Sequence, residues 1–466
     1  MTDHTDLAFA GAAAQAQAIR AGDVSSRELV EATLARIDRL NPQLNAYRVV
    51  LAERALAEAD QADGRRDAGD AGRPLLGVPV AIKDDVDVAG EATAWGTAAH
   101  GGPKERDAEV VRRLRAAGAI IIGKTLVPEM TMLPATDTTT FGSARNPWDL
   151  TRTPGGSSGG SAAATAAGLC GVALGSDGAG SVRGPSSWNN LFGIKPTRDR
   201  VPLEPHADAW QGLSVNGPLA RTVADAALFL DATVADAGGR FSAAANADQD
   251  GRLRVAVTVK APPGSMARLG REERRAVEAT AELLRGLGHE VVERDPDYGA
   301  DLWPAAFARV LRGIHDDVRE AMPHPERLER RTRQVAAVGG ALPDGLVAWA
   351  RKVEAKQAAR LGALWNDVDV LLLPCTADGP YEAGAMGRWG VGGYLTRASE
   401  RIVYFPAFNV TGQPACSVPA GFDDDGLPLG VQLVGRRDDE ATLLTLAAQL
   451  ERARPWADRR PAVAAA

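Results

Sequence analysis

TPGGSSGGSAAATAAGLCGVALGSDGAGSVR, residues 153–183, holds two serine-bearing glycine turns, Gly155–Ser161 and Gly175–Ser181, joined by an alanine-rich segment. Glycine lets backbone approach backbone or substrate and adopts dihedrals closed to other residues, so two such turns are expected to meet at one small polar site. A flexible Gly/Ser linker has a similar composition. This stretch has more in it: Ser161 to Leu169 has high helix propensity, Cys170 to Leu174 reads as a short buried strand, and Asp177 and Arg183 bring opposite charges to the second turn.

Two literal motif matches fail on context. Gly155-Gly156-Ser157-Ser158-Gly159 fits a nucleophile elbow, but an elbow follows a strand, and residues 145–154 form a proline-punctuated loop. Gly118-Ala119-Ile120-Ile121-Ile122-Gly123-Lys124-Thr125 fits a phosphate-loop pattern, yet its variable positions spell a buried strand.

Outward from the glycine turns, short apolar strands alternate with helices: Val78 to Ile82, a helix from Glu109 to Ala117, then Ala119 to Ile122. That alternation argues an α/β fold with a largely parallel or mixed sheet. A capping box, Ser25-Ser26-Arg27-Glu28, opens an N-terminal helix whose apolar positions run to Leu40, with Asn41-Pro42 expected to end it. Farther on, Arg254 to Val257 and Glu290 to Glu293 read as strands flanking an amphipathic helix from Arg271 to Gly286.

A serine nucleophile needs a base. His4, His100, His206, His289, His315 and His324 stand in no catalytic pattern. Lys83 ends an apolar strand, where burial favours the neutral amine, although a lysine snorkelling off a strand end has the same sequence appearance.

Lys83, Pro147-Trp148-Asp149, the Gly-Gly-Ser-Ser-Gly-Gly-Ser turn and Gly180-Ser181-Val182-Arg183 occur in an order that closely resembles the amidase signature family, with Ser157 and Ser181 twenty-four positions apart. The resemblance extends through Phe192–Thr197, Asn216–Asp225, Asp367–Pro374, Phe408–Pro414 and Gly426–Glu440, and fades between about 231 and 365. It implies a single α/β domain over 1–466, with a central mixed, largely parallel twisted sheet covered by helices on both faces. Within it, N-terminal helices would occupy 1–70, the signature core 71–230, a variable pocket-walling insertion 231–365 and a C-terminal return to the core 366–466.

For chemistry the resemblance implies an amidase without cofactor or metal. Ser181 would be the nucleophile, Ser157 a bridging serine after a cis peptide and Lys83 the base. Backbone N–H groups of Gly178, Ala179, Gly180 and Ser181 would hold the oxyanion, with Ser158, Ser176, Asp177 and Arg183 in support. The sequence departs from the usual pattern at Ala179, at Asn189-Asn190 and at Arg198-Asp199, which puts substrate preference in doubt.

Met130, Trp210, Trp389, Tyr394, Tyr404 and Phe405 are the pocket candidates, although core packing is the ordinary place for an aromatic residue. They favour an apolar or aryl substrate: aryl amides and anilides, with carbamates and esters as further possibilities. A glutaminase subunit of a tRNA-dependent amidotransferase is the main alternative. The segment Tyr394-Leu395-Thr396-Arg397-Ala398-Ser399 lacks the acidic residue which that subunit carries after its Tyr-Leu pair. A non-catalytic binding protein on the same scaffold is the other.

The composition fits this picture. A chain of 466 residues with 45% hydrophobic content can bury a large core, and a net charge of −7 argues against nucleic acid or an anionic membrane as a general partner. Cys170, Cys375 and Cys416 lack metal-ligand spacing and read as buried thiols. The acidic start, Met1 to Asp6, has no signal-peptide charge pattern, and no apolar run reaches spanning length, so a cytoplasmic monomer or homodimer acting on a small-molecule amide or carbamate is expected.

Overall fold

The computed structural model describes residues 5–70, 72–206, 208–248, 251–265, 267–397 and 399–465. The sequence readings that involve Met1–His4 and Ala398 lie outside the described residues. Among the described residues, eleven strands form one sheet: β1 (Tyr47–Val50), β2 (Pro79–Lys83), β3 (Ile120–Thr125), β4 (Val172–Asp177), β5 (Phe192–Lys195), β6 (Val215–Ala220), β7 (Arg254–Val257), β8 (Glu290–Glu293), β9 (Val370–Pro374), β10 (Ala415–Phe422) and β11 (Pro428–Val434). Their spatial order is β1-β3-β2-β4-β6-β5-β10-β11-β9-β7-β8. The parallel pairings fall in two trios, β3-β2-β4 and β9-β7-β8, and the strands between them run antiparallel, so the sheet is mixed.

Side chains alternate across a strand, and the two faces use different residues. Val80, Ile82, Val172 and Leu174 bury against one core, whereas Ala81 and Ala173 face Ala163, Ala164 and Ala167 on the other. The small side chains on this second face bring the Gly159–Ala166 helix close to the sheet. Its start is thereby held beside the carboxyl ends of β2 and β4. Each fully buried aliphatic side chain on the first face adds roughly 1.5–3 kcal/mol of transfer free energy.

The N-terminal helix differs from expectation at one end. The Ser25–Glu28 capping box is present, but the helix spans Ser26–Leu44 and passes through Pro42. Its last turn is closed by Asn45, in the left-handed conformation, whose N–H donates to the Asn41 carbonyl. The Asn41 side chain accepts from the N–H groups of Ala46 and Tyr47.

The segment 231–365 supplies β7 and β8 at the sheet's end and a long helix, Leu302–Ala321, that packs against the short Ala209–Gly212 helix. Cys170, Cys375 and Cys416 are buried free thiols. No helix among the described residues is long and apolar enough to cross a membrane.

Candidate active site

β2 and β4 are parallel neighbours, with Ile82 opposite Leu174, so Lys83 and Ser176 emerge together at their carboxyl ends. Lys83 is fully buried. Its Nζ lies 2.7 Å from Ser157 Oγ, 2.6 Å from Ser176 Oγ and 3.3 Å from the Ser176 carbonyl. Burial lowers the lysine pKa; Asp85, with Oδ2 3.3 Å from Nζ, opposes that shift, as does Asp177. Ser176 links the two, since its hydroxyl also donates to Asp85 Oδ2 at 2.6 Å.

Ser157 follows a cis Gly156–Ser157 peptide. A side chain at Gly156 would meet Leu133 O and lie 2.7 Å from Ala135 N, so this turn accepts only glycine where it passes the 133–135 backbone. Thr136 Oγ1 donates to Gly155 O at 2.8 Å, and Ser158 Oγ donates to Ser176 O at 3.2 Å, tying the first turn to the second. Asn189, one of the departures from the family pattern, adds two ties through Nδ2, to Pro154 O and Pro185 O, both at 2.7 Å. Arg198, another, pairs with Glu354 and donates to the carbonyls of Asn409 and Val410.

The second turn is organised by Asp177. Its carboxylate accepts from Gly180 N–H at 2.7 Å, Val182 N–H at 3.1 Å, the Asn409 amide at 2.9 Å and the Arg183 guanidinium at 2.8 and 3.0 Å. Burial alone would raise the Asp177 pKa, but Arg183 and Asn409 hold it well below the usual carboxylate range. Arg183, also fully buried, donates to Gln432 Oε1 and Asn409 Oδ1, both at 2.6 Å, and lies 4.8 Å from the centre of the Phe405 ring.

These bonds correct one expectation. The Gly180 N–H is taken by Asp177 and is not free for an oxyanion, whereas the N–H groups of Gly178, Ala179 and Ser181 have no acceptor among the described residues. Glycine at 180 answers a different need: its φ is +113°, and a β-carbon there would run into the Phe405 ring.

Ser181 is half-buried and its hydroxyl has no hydrogen-bond partner among the described residues. Two pockets meet at it. An apolar one is lined by Met132, Trp303, Phe307, Val310, Tyr394 and Ile402, among others. A more polar one takes in Ser157, Ser176, Asp85, Asp87, Asp317 and His206. Trp210, Thr131, Gly178 and Ser181 line both. No hydrogen bond joins Ser157 Oγ to Ser181 Oγ among the described residues, though both face the polar pocket.

Of the six pocket candidates, Trp210 and Tyr394 line the space beside Ser181 and four do not. Met130 is buried under Trp95 and Met322, and its neighbour Thr131 takes the lining position. Trp389 packs edge-on against Tyr381, 5.8 Å between ring centres. Tyr404 is buried with its hydroxyl donating to Val259 O at 2.9 Å, and Phe405 packs on the turn at Gly180.

Sequence reasoning missed Asp85, Asp317 and the apolar face of the Leu302–Ala321 helix. A signal for the last exists: Trp303, Phe307, Val310, Ile314 and Asp317 recur at helical spacing, an apolar stripe ending in a carboxylate. Chemically, the arrangement offers a half-buried hydroxyl, free N–H groups beside it and a buried amine one serine away. Such a set suits attack on a carbonyl carbon with the proton taken up by the amine.

A model of the Amidase family matches residues 28–444. A Mycobacterium tuberculosis protein named "Putative amidase AmiB2" is 56% identical over 463 residues, covering 99% of this chain and 100% of that protein. The solved structure of 6-aminohexanoate cyclic dimer hydrolase complexed with substrate superposes with a TM-score of 0.89 at 30% identity, covering 98% of this chain and 99% of the other. A bacterial aryl acylamidase of the amidase signature enzymes superposes with a TM-score of 0.84 at 25% identity, over 96% and 97% of the two chains.

Proposed function

The chain belongs to the amidase family and is an amide-cleaving hydrolase, and from that premise we propose that it works through an acyl-enzyme on Ser181, with Ser157 as proton bridge and Lys83 as base. The observation that carries this reading is the 2.7 Å approach of Lys83 Nζ to Ser157 Oγ in a fully buried setting that favours the neutral amine.

In the reaction, Ser181 Oγ loses its proton to Ser157 Oγ as Ser157 passes its own to Lys83 Nζ. The freed oxygen attacks the carbonyl carbon, and the carbonyl oxygen takes up negative charge facing the N–H groups of Gly178, Ala179 and Ser181. One such donor lowers a barrier by about 3 kcal/mol. The C–N bond then breaks as the proton returns from Lys83 through Ser157 to the leaving nitrogen. Water, giving up its proton by the same route, attacks the ester carbonyl, releases the acid and restores Ser181.

The apolar pocket supports an aryl or alkyl acyl group: Trp210, Trp303, Phe307 and Tyr394 line it together with Ser181. Aryl amides and anilides are the proposed substrates, with aryl carbamates and activated esters as side reactions of the same acyl transfer. A glutaminase role has less support, because gripping the glutamine carboxylate calls for a cation, and no Lys or Arg is among the described residues lining the two pockets.

The test is initial rates of wild type and Ser181→Ala, without added metal, on acyl anilides, aliphatic amides, glutamine, aryl carbamates and nitrophenyl esters. Amide turnover that vanishes in the variant, with a fluorophosphonate adduct at Ser181 in the wild type, is the expected result. Amide turnover that persists in Ser181→Ala sinks the acyl-enzyme reading. Folded wild type that neither turns over nor forms the adduct favours a binding protein.

A further inference from the structure

Resting on the acyl-enzyme reading above, we propose that the polar pocket is a leaving-group subsite for a cationic amine, so that preferred substrates are mono-N-acylated diamines or polyamines whose second nitrogen is protonated. The two pockets are not equivalent with respect to the proton. Ser157, which returns it to the leaving nitrogen, lines the polar pocket and not the apolar one. The departing amine must therefore lie on the polar side, which leaves the apolar pocket for the acyl group.

The polar side is acidic. Asp85, Asp87 and Asp317 line it, and no Lys or Arg is among its described lining residues. Asp85 is only 7% exposed; its Oδ2 is taken by Ser176, and its Oδ1 has no hydrogen-bond partner among the described residues. A buried carboxylate oxygen without a donor is costly, and a ligand ammonium is a partner that would satisfy it. Its one close cation among the described residues, Lys83, is pushed toward the neutral form by burial, which leaves the carboxylate charge in want of a positive group.

The other walls agree. Trp95 and Trp210 stand on the same lining, aromatic groups of the kind that attract a cation, and His206 Nε2 beside them is buried without a hydrogen-bond partner among the described residues. Asp317 uses Oδ2 to accept the Trp210 indole N–H at 3.1 Å and so fixes the ring that divides the pockets. Burial pushes the Asp317 pKa up to about 7 and Lys104 reaches Asp87 at 3.5 Å, so Asp85 is the carboxylate that most wants a cation. A leaving group bearing a carboxylate, as an amino acid does, meets Asp85 and finds no Lys or Arg on the described lining.

The measurement is kcat/KM for N-(aminobutyl)benzamide against N-pentylbenzamide, which differ by an ammonium in place of a methyl group. Wild type is expected to favour the ammonium substrate by about tenfold or more, the ratio falling as salt is added. In Asp317→Asn, which keeps an acceptor for the Trp210 indole, and in Asp87→Asn, the ratio is expected to fall toward one. Being taken within one protein, it does not depend on the folded fraction. Equal efficiency on both substrates in wild type, with turnover abolished by Ser181→Ala, overturns this proposal and leaves the acyl-enzyme reading standing. A wild-type preference undiminished in both variants overturns the role of the carboxylates. Turnover that survives Ser181→Ala, or turnover of neither amide, overturns both.

Discussion

Lys83 Nζ lies 2.7 Å from Ser157 Oγ, and the same nitrogen is 2.6 Å from Ser176 Oγ, whose proton goes to Asp85. The amine is thus held between a serine that leads to the pocket and a serine that leads to a carboxylate. Its basicity is a balance: burial favours the neutral form and Asp85 favours the charged one.

That balance sets a pH dependence. The proposed base works only as the neutral amine, so activity is expected to rise with pH through a group titrating below the ordinary lysine value of 10.5. Asp85→Asn removes the neighbour that stabilises the lysine charge and lowers that pKa further, so the limb is expected to move to lower pH. Lys83→Ala should abolish the limb and reduce kcat by roughly a hundredfold or more. Full pH–rate profiles of the three proteins decide it; an unmoved limb in Asp85→Asn would detach Asp85 from the base.

The Asp177–Arg183 pair is expected to matter for stability as well as for the turn. Both side chains are fully buried and bidentate, and Asp177 also fastens the N–H groups of Gly180 and Val182. Asp177→Asn leaves the guanidinium charge in the core without its partner, and removal of one member of such a pair costs about 3–5 kcal/mol. Urea unfolding midpoints measure the loss. A cost under about 1 kcal/mol would mean that Asn409, Gln432 and the Phe405 ring suffice for Arg183.

The glycine turns were legible because their chemistry is local: Gly155, Gly156 and Gly180 advertise a backbone that runs close to something, and Lys83 ends a five-residue strand of unbroken burial. The alternation that predicted a mixed sheet likewise follows from nearest neighbours in sequence, and Arg254–Val257, Arg271–Gly286 and Glu290–Glu293 form with the expected bounds. The pocket was harder because it is built by distance. Trp303 and Phe307 share a lining with Ser181 only once the Leu302–Ala321 helix is packed on the Ala209–Gly212 segment, and neighbouring aromatics in sequence, such as Tyr404 and Phe405, turn into the core. The loss of the Gly180 donor was equally hidden, since a glycine beside a serine reads the same whether its N–H meets a substrate or the Asp177 carboxylate.

Gly178 and Gly180 are expected to fail differently. A methyl at 180 is strained by φ of +113° and collides with Phe405, so Gly180→Ala should lower stability by a few kcal/mol, about the cost of an overpacked core site. A methyl at 178 meets instead the Trp210 ring, 2.7 Å from its nearest carbon, and Trp210 is the partition between the pockets. Gly178→Ala should therefore lower kcat/KM for amides by about tenfold while the melting temperature stays within a few degrees. Equal thermal losses in the two variants would contradict this division.

A buried acidic pair, Glu451 and Asp225, gives a prediction on stability alone. Glu451 accepts the Val223 N–H at 3.1 Å through Oε2, its Oε1 is buried without a partner among the described residues, and its pKa is pushed up to about 7, chiefly by burial and further by Asp225. The folded chain therefore keeps this proton where the unfolded chain, with the ordinary value of 4.5, has released it. The stability contribution is full below that ordinary value and is lost as pH rises through about 7. Glu451→Gln retains an acceptor for Val223 and cannot ionise, so its melting temperature relative to wild type is expected to climb between about pH 5 and pH 8, by a few degrees in a chain of this size. Calorimetry of both proteins across that range is the check. A variant-minus-wild-type difference that stays flat would show that Glu451 is ionised in the fold throughout, with Arg452 or solvent meeting its charge.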